Sequence, residues 1–290
     1  MTSSAPPAPR NVVEALSWGE NYLSGVGLEG AFLDAQLLLG HSLGLTKEQI
    51  VVRAGERLEG GGLRRYLQVL EERAKRIPLA HITGSREFWS LSLHVDSRVL
   101  VPRPETEGVV EAALERLPSR CRVLDVGTGS GNITAALAST VREGEFLALD
   151  ISGDALKVAR KNVRRLGLEG KVSLFRSDLF GGLRRGPRFD AVLSNPPYIP
   201  SGEIAGLQPE VGTWEPKIAL DGGRDGLDLI RRLVVKAPGY LRDGGFLVVE
   251  VGAGQAGPVR EIAVSCGKYG AVEVHSDLAG IGRVVVAERL

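Results

Sequence analysis

The stretch Arg122-Val123-Leu124-Asp125-Val126-Gly127-Thr128-Gly129-Ser130-Gly131 decides the fold of this chain. Its first five residues are apolar apart from two charges, with β-branched Val123 and Val126, the pattern of a buried strand in a parallel sheet. Residues 132–141 read as the following helix, so the glycines fall at a strand-to-helix turn, where a ligand can approach the backbone closely. Three ligand classes use such a turn. A dinucleotide loop wants its third glycine at position 132, which here is Asn. A phosphate loop needs Gly-Lys-Ser/Thr, and none follows. Asp125, two residues before the first glycine, repels a pyrophosphate but suits the sulfonium and ammonium cations of S-adenosylmethionine. The loop residues Gly127, Thr128, Gly129, Ser130 and Gly131 are therefore expected to hold that methyl donor.

Working outward, residues 145–150 read as a second strand ending in Asp150, a carboxylate able to accept from both ribose hydroxyls, although an acid at a helix start gives the same pattern. Residues 171–176 read as a third strand, followed by Ser177-Asp178-Leu179-Phe180. Asp178 is placed to accept from the adenine amino group and Leu179 to pack on the ring; a plain turn is the competing reading. Further on, the apolar run Ala191-Val192-Leu193-Ser194 ends in Asn195-Pro196-Pro197-Tyr198. An amino group on an sp² carbon is a poor nucleophile because its lone pair is delocalised. The Asn195 side-chain oxygen and the Pro196 carbonyl can both accept from one NH₂ group, in a loop whose φ angles Pro196 and Pro197 fix. With its hydrogens pinned, the nitrogen can turn its lone pair toward an electrophile, while the Tyr198 ring stacks on the planar group. Asn195, Pro196, Pro197 and Tyr198 are thus the candidate catalytic residues, with Asn195 also near the donor. The competing reading is a rigid turn after a strand.

These motifs carry a family resemblance. Val101-Pro102-Arg103-Pro104-Glu105-Thr106-Glu107, the glycine loop, Ser194-Asn195-Pro196-Pro197-Tyr198-Ile199, Glu215-Pro216-Lys217-Ile218-Ala219-Leu220-Asp221-Gly222-Gly223 and Asp277-Leu278-Ala279-Gly280 resemble the HemK/PrmC family of glutamine methyltransferases, in the expected order along almost the whole chain. The resemblance implies a class I S-adenosylmethionine-dependent methyltransferase fold. It also implies methyl transfer to the side-chain amide of the glutamine in the Gly-Gly-Gln loop of peptide chain release factors. One departure is Gly282-Arg283, where family members often carry an acid before the arginine. Methylation of the adenine amino group in DNA or RNA uses the same four-residue grip and stays open at this point; a dehydrogenase and a non-catalytic binding module are the remaining rivals.

Composition narrows the field. The chain has 290 residues, 43% hydrophobic and 24% charged, with a formal net charge of +1. That is enough for two globular domains, and it lacks the general basic field of a nonspecific nucleic-acid binder. The arginine doublets, such as Arg184-Arg185 and Arg231-Arg232, are scattered, so no stable nucleic-acid partner is expected. Cys121 and Cys266 stand far apart, and His41, His81, His94 and His275 form no i, i+3 or i, i+4 pair, so no metal site is expected. Nor is a membrane segment, and a cytoplasmic protein with a frayed N-terminal tail is the expectation. The chain is read as a helical docking domain over 1–79, a β-hairpin linker over 80–106 and a methyltransferase domain over 107–290. In that last part seven strands, near 122–126, 145–150, 171–176, 189–194, 244–251, 271–276 and 282–288, alternate with helices. This predicts a doubly wound, mainly parallel α/β sheet whose last two strands form an antiparallel hairpin. The long segment 199–224 is expected to form one wall of the substrate cleft.

Overall fold

The computed structural model describes residues 9–290; the expected frayed tail lies outside them. The chain forms two compact units, one ending at Gly84 but joined by Pro209–Trp214, the other made of Ser85–Gln208 and Glu215–Leu290.

The first unit is helical: α1 (Val12–Gly25), α2 (Ala31–Leu43), α3 (Lys47–Val52), α4 (Gly60–Ala74) and α5 (Leu79–Thr83). Local chemistry sets their starts. The Asn11 side chain accepts from the Glu14 amide at the head of α1, and Thr46 and Gln49 form a capping box on α3. Leu23, Leu38, Leu39, Tyr66 and Leu70 are fully buried in its core, and the Tyr66 hydroxyl reaches the Ala15 carbonyl at 3.1 Å. Gly19 makes that approach possible, since a Cβ there would sit 2.0 Å from the Tyr66 hydroxyl.

The second unit begins with a hairpin, β1 (Ser85–Phe88) and β2 (Leu91–His94), closed by Trp89 and Ser90. Both loop residues have positive φ, as a two-residue hairpin turn demands, and Glu107 Oε1 holds the Trp89 amide at 2.7 Å. The remaining elements are α6 (Glu107–Leu114), β3 (Arg120–Val126), α7 (Asn132–Thr140), β4 (Glu143–Asp150), α8 (Gly153–Arg165), β5 (Val172–Arg176), β6 (Phe189–Ser194), α9 (Pro209–Gly212, part of the first unit), α10 (Asp228–Lys236), β7 (Leu241–Glu250), α11 (Ala256–Ser265), β8 (Tyr269–Ser276) and β9 (Gly282–Arg289). The strands lie in the order β5-β4-β3-β6-β7-β9-β8, all parallel except β9, which runs against both β7 and β8. Side chains alternate across the sheet as period-two geometry requires. Val123, Ala191, Leu193, Val248 and Val286 enter one apolar layer; Leu124, Val126, Val192, Leu247 and Val249 enter the other.

The strand order reverses direction between β3 and β6, and at such a point the loops from the strand ends diverge and leave a crevice. The glycine loop follows β3 and the Asn195-Pro196-Pro197 turn follows β6, so both motifs open onto that crevice.

The connection from β6 to α10 departs from the expected division of the chain. Its segment Pro209–Trp214 belongs to the helical unit. There Glu210 accepts from Arg73 Nη1 at 2.9 Å and Arg76 Nη2 at 2.9 Å, Arg73 also pairs with Asp34 at 2.6 Å, and the Trp214 indole donates to the Lys75 carbonyl at 3.2 Å. No local pattern announces such a link, because its partners lie more than 130 residues apart.

Candidate functional site

A cavity of about 540 Å³ opens at the carboxyl ends of β3, β4, β5 and β6. Gly127, Thr128, Gly129 and Ser130 of the glycine loop line it, together with Asp150, Asp178, Leu179, Asn195, Pro196 and Pro197; Gly131 does not. The residues expected around the donor, Gly131 apart, thus meet one space, of the size usual for a small-molecule site.

The loop is shaped by its glycines. Gly127, Gly129 and Gly131 all take positive φ, and a Cβ on Gly127 or Gly129 would meet open space, so the bare backbone faces the cavity. At Gly131 the situation is opposite. A Cβ would lie 3.2 Å from that of Ala159 on α8, so this glycine serves close packing of loop on helix. Asp150 Oδ2 accepts from the Gly129 amide and Oδ1 from the Ser152 amide, each at 2.8 Å. One carboxylate therefore braces the loop and still presents lone pairs to the cavity. Its burial raises its pKa, against those backbone hydrogen bonds.

Asp125 takes a place other than the expected one. It is fully buried beneath the loop and absent from the cavity wall; its Oδ2 accepts from the Thr128 and Thr134 hydroxyls, each at 2.6 Å. Burial pushes its pKa up to about 6. The side chain ties the loop to α7 and contributes only its field to whatever binds above.

Asp178 lines the cavity, but both its carboxylate oxygens accept from Arg232 Nη2 of α10, at 3.0 and 2.8 Å. Leu179 is buried with φ +47, a left-handed conformation that costs energy in a residue with a Cβ. That turn aims the Leu179 side chain inward beside the cavity.

On the acceptor side, Asn195 Nδ2 donates to Thr106 Oγ1 at 2.9 Å, and among the described residues no hydrogen bond engages Oδ1. Thr106 lines the cavity; Glu105, beside it in the Pro104–Thr106 helical turn, does not. Tyr198 is also absent from the wall. Its hydroxyl donates to Glu250 Oε1 at 3.3 Å, and its carbonyl accepts from Gln255 Nε2 at 2.9 Å. Burial raises the Tyr198 pKa, so it stays a neutral phenol. In this arrangement the ring acts as a post behind the turn rather than as a free platform.

The wall is extended by residues not singled out individually in the sequence, several of them within the quoted motifs and the expected wall segment 199–224. Arg98, Val99, Leu100, Pro102 and Arg103 come from the stretch before α6, and Ser201, Pro216, Ile218, Ala219 and the run Asp221 to Gly223 from the long β6–α10 connection. Glu215 joins the two stretches: it is 5% exposed, accepts from the Val101 amide at 3.1 Å and pairs with Arg103 at 2.6 Å. Burial raises its pKa and the Arg103 charge opposes that rise. Glu250, at the end of the apolar run Phe246-Leu247-Val248-Val249, was missed as well. A lone acid closing a buried strand at the ligand edge is the signal that marks it.

Comparison with known proteins agrees with this geometry. The family model for the PrmC N-terminal domain matches residues 14–84, and that for the methyltransferase small domain matches residues 109–206. Among solved structures, a methyltransferase from Pyrococcus furiosus superposes with a TM-score of 0.53 at 18% identity, over 75% of this chain and 98% of that one. The hMettl16 catalytic domain in complex with MAT2A 3'UTR hairpin 6 gives 0.57 at 18% identity, over 74% and 80%. At that identity they establish the fold alone. The release factor glutamine methyltransferase of Moorella thermoacetica is 41% identical over 95% of this chain and 98% of its own length. Those of Geobacter sulfurreducens and Rhodopirellula baltica are 43% and 36% identical, over 84% and 100% of the chain. With identity of that level sustained through both units, the chain belongs to the release factor glutamine methyltransferase family.

Proposed function

We propose that this protein transfers a methyl group to the side-chain amide nitrogen of the glutamine in the Gly-Gly-Gln motif of peptide chain release factors. The observation that carries the reading is the Oδ1 of Asn195, engaged by no hydrogen bond among the described residues, on the wall of the same cavity that the glycine loop and Asp150 line. S-adenosylmethionine, the methyl donor, supplies an electrophilic methyl on a cationic sulfur. The residues present fit it: bare backbone at Gly127 and Gly129, a fixed carboxylate at Asp150, an apolar wall at Leu179 and a cavity of about 540 Å³.

Asn195 Oδ1 and the Pro196 carbonyl accept the two amide hydrogens of the glutamine and so hold its nitrogen in place. Held so, the nitrogen would present its lone pair to the methyl that bound S-adenosylmethionine would supply, with the thioether as leaving group and the extra proton passing to water. No strong base is needed, so rate comes from positioning and exclusion of water. Pro196 lies on the cavity wall and the turn is braced by Gln255 and Glu250 from behind. Tyr198 supports that turn through its hydroxyl, and Pro197 limits its flexing.

Release factors are the partner class, with the helical unit as the docking surface; no stable nucleic-acid or membrane partner belongs to this reading, and the cytoplasm is where such a substrate is found. Among the described residues no helix is long and apolar enough to cross a membrane. Incubation with labelled S-adenosylmethionine and purified release factor, DNA or RNA tests the substrate, with label expected on the glutamine of the release factor alone. Label on nucleic acid with inert release factor would overturn the reading. Asn195→Ala is expected to lower turnover by roughly 100- to 1,000-fold, the loss seen when one fixed polar group is removed from a reacting centre, with donor affinity nearly unchanged. Equal losses in both would make Asn195 a donor ligand only.

A further inference from the structure

The grip on the acceptor needs something Asn195 alone does not provide, a fixed amide orientation. The oxygen and nitrogen of an asparagine amide are nearly the same size, and a half-turn swaps acceptor for donor. Asn195 touches Thr106 at 2.9 Å, but a hydroxyl can give or take a hydrogen bond, so this contact by itself leaves the amide free to turn. The hydroxyl proton decides the matter. Thr106 and Glu250 are each 1% exposed, so water offers that proton no alternative. The Thr106 hydroxyl bears on the Glu250 carboxylate and favours its ionised form. Glu250 Oε1 already takes the Tyr198 hydroxyl, and Oε2 is buried with no hydrogen-bond partner among the described residues, an open acceptor. An ionised Glu250 therefore draws the Thr106 proton. Thr106 then offers Asn195 only lone pairs, Nδ2 must face it, and Oδ1 is left toward the cavity.

We propose that Thr106 and Glu250 are positioning residues that lock the Asn195 amide with its oxygen facing the acceptor, an inference that rests on the role of Asn195 given above. Protonated Glu250 is itself a donor. It satisfies the Thr106 oxygen, releases the hydroxyl proton toward Asn195 and lets the amide turn its NH₂ to the cavity, where it repels the acceptor hydrogens. The lock thus depends on the charge of Glu250. Burial pushes its pKa up to about 7; the Thr106 and Tyr198 hydroxyls oppose that rise, the charge of Glu105 adds to it, and Arg283 opposes it. Arg283 is in turn shared with Asp277 at 3.0 Å. Turnover is accordingly low where Glu250 is protonated and rises with pH through neutrality.

The test measures kcat on intact release factor, donor affinity and the pH profile for the full-length protein and for Thr106→Val, Thr106→Ser, Glu250→Gln and Asn195→Ala. Thr106→Val keeps the shape and removes the hydroxyl; it is expected to lower kcat about 100-fold, the cost of a misplaced reacting group, with donor affinity retained as the sign of a folded site. Thr106→Ser restores most of the rate. Glu250→Gln loses the rise in kcat near pH 7. Wild-type turnover in Thr106→Val, an unchanged profile in Glu250→Gln, or a serine variant as poor as the valine one would each overturn the lock. Any of these alongside an inactive Asn195→Ala leaves the grip standing, whereas a fully active Asn195→Ala removes the grip itself.

Discussion

At the residue scale, one side chain does two jobs at the donor end. Asp150 spends one lone pair of each oxygen on a backbone amide, and this fixes the carboxylate before any ligand arrives. A group held in advance loses little entropy on binding, which is why such a carboxylate makes strong contacts to hydroxyls. Asp150→Ala is expected to weaken donor binding by about 1.5–3 kcal/mol, the worth of hydrogen bonds to a charged group. Turnover at saturating donor should survive, and calorimetric titration with kcat measurement separates the two. Unchanged affinity would remove Asp150 from the donor contacts. Asp150 was legible in the sequence because strand ends face ligands in this sheet class; the direction of the Asp125 side chain, below the loop, was not, since the sequence gives its charge alone.

At the element scale, the glycine loop separates two demands that one sequence motif merges. Gly129 and Gly131 both have positive φ, so alanine at either costs about 1–2 kcal/mol of backbone strain. Their surroundings differ. A methyl at Gly131 presses on Ala159 at 3.2 Å, whereas a methyl at Gly129 enters open cavity. Gly131→Ala is therefore expected to destabilise the second unit by more than Gly129→Ala does, and Gly129→Ala to weaken donor binding by more than Gly131→Ala does. Thermal unfolding and titration on the same two variants check this crossing pattern, and a shared order in both measurements would refute it. The strands themselves were readable from alternating and apolar runs. Their outer ends were not: β3 begins at Arg120 and β4 at Glu143 because the two pair there, and neither residue is one a propensity rule assigns to a buried strand.

At the scale of the whole molecule, the chain order and the unit boundaries disagree. The sequence reads as a helical stretch over 1–79, a hairpin linker over 80–106 and a catalytic stretch over 107–290, whereas the first unit runs to Gly84 and the second begins at Ser85. Residue patterns said nothing of Pro209–Trp214, because ion pairs and an indole hydrogen bond across more than 130 residues leave no local periodicity. The connection that lends this segment to the helical unit also supplies Pro216, Ile218 and Asp221 to the cavity wall. Glu210 anchors it between Arg73 and Arg76. Burial raises its pKa, but the two guanidiniums and backbone hydrogen bonding more than offset this and leave it below its ordinary value. A lowered folded-state pKa means that the stabilisation is present above the ordinary carboxylate range and is lost as pH falls through the lowered value. Glu210→Ala is expected to cost about 1.5–3 kcal/mol at neutral pH, since Arg73 then keeps only Asp34 and the Ile77 carbonyl and Arg76 loses its carboxylate. The deficit in Tm of Glu210→Gln against the unsubstituted protein should shrink on acidification below pH ~4, where the native carboxylate is itself neutralised. If the segment ties docking to the cleft wall, kcat/KM on intact release factor falls in both variants while donor affinity holds. A Tm deficit that grows on acidification would show that the clasp does not stabilise through its charge.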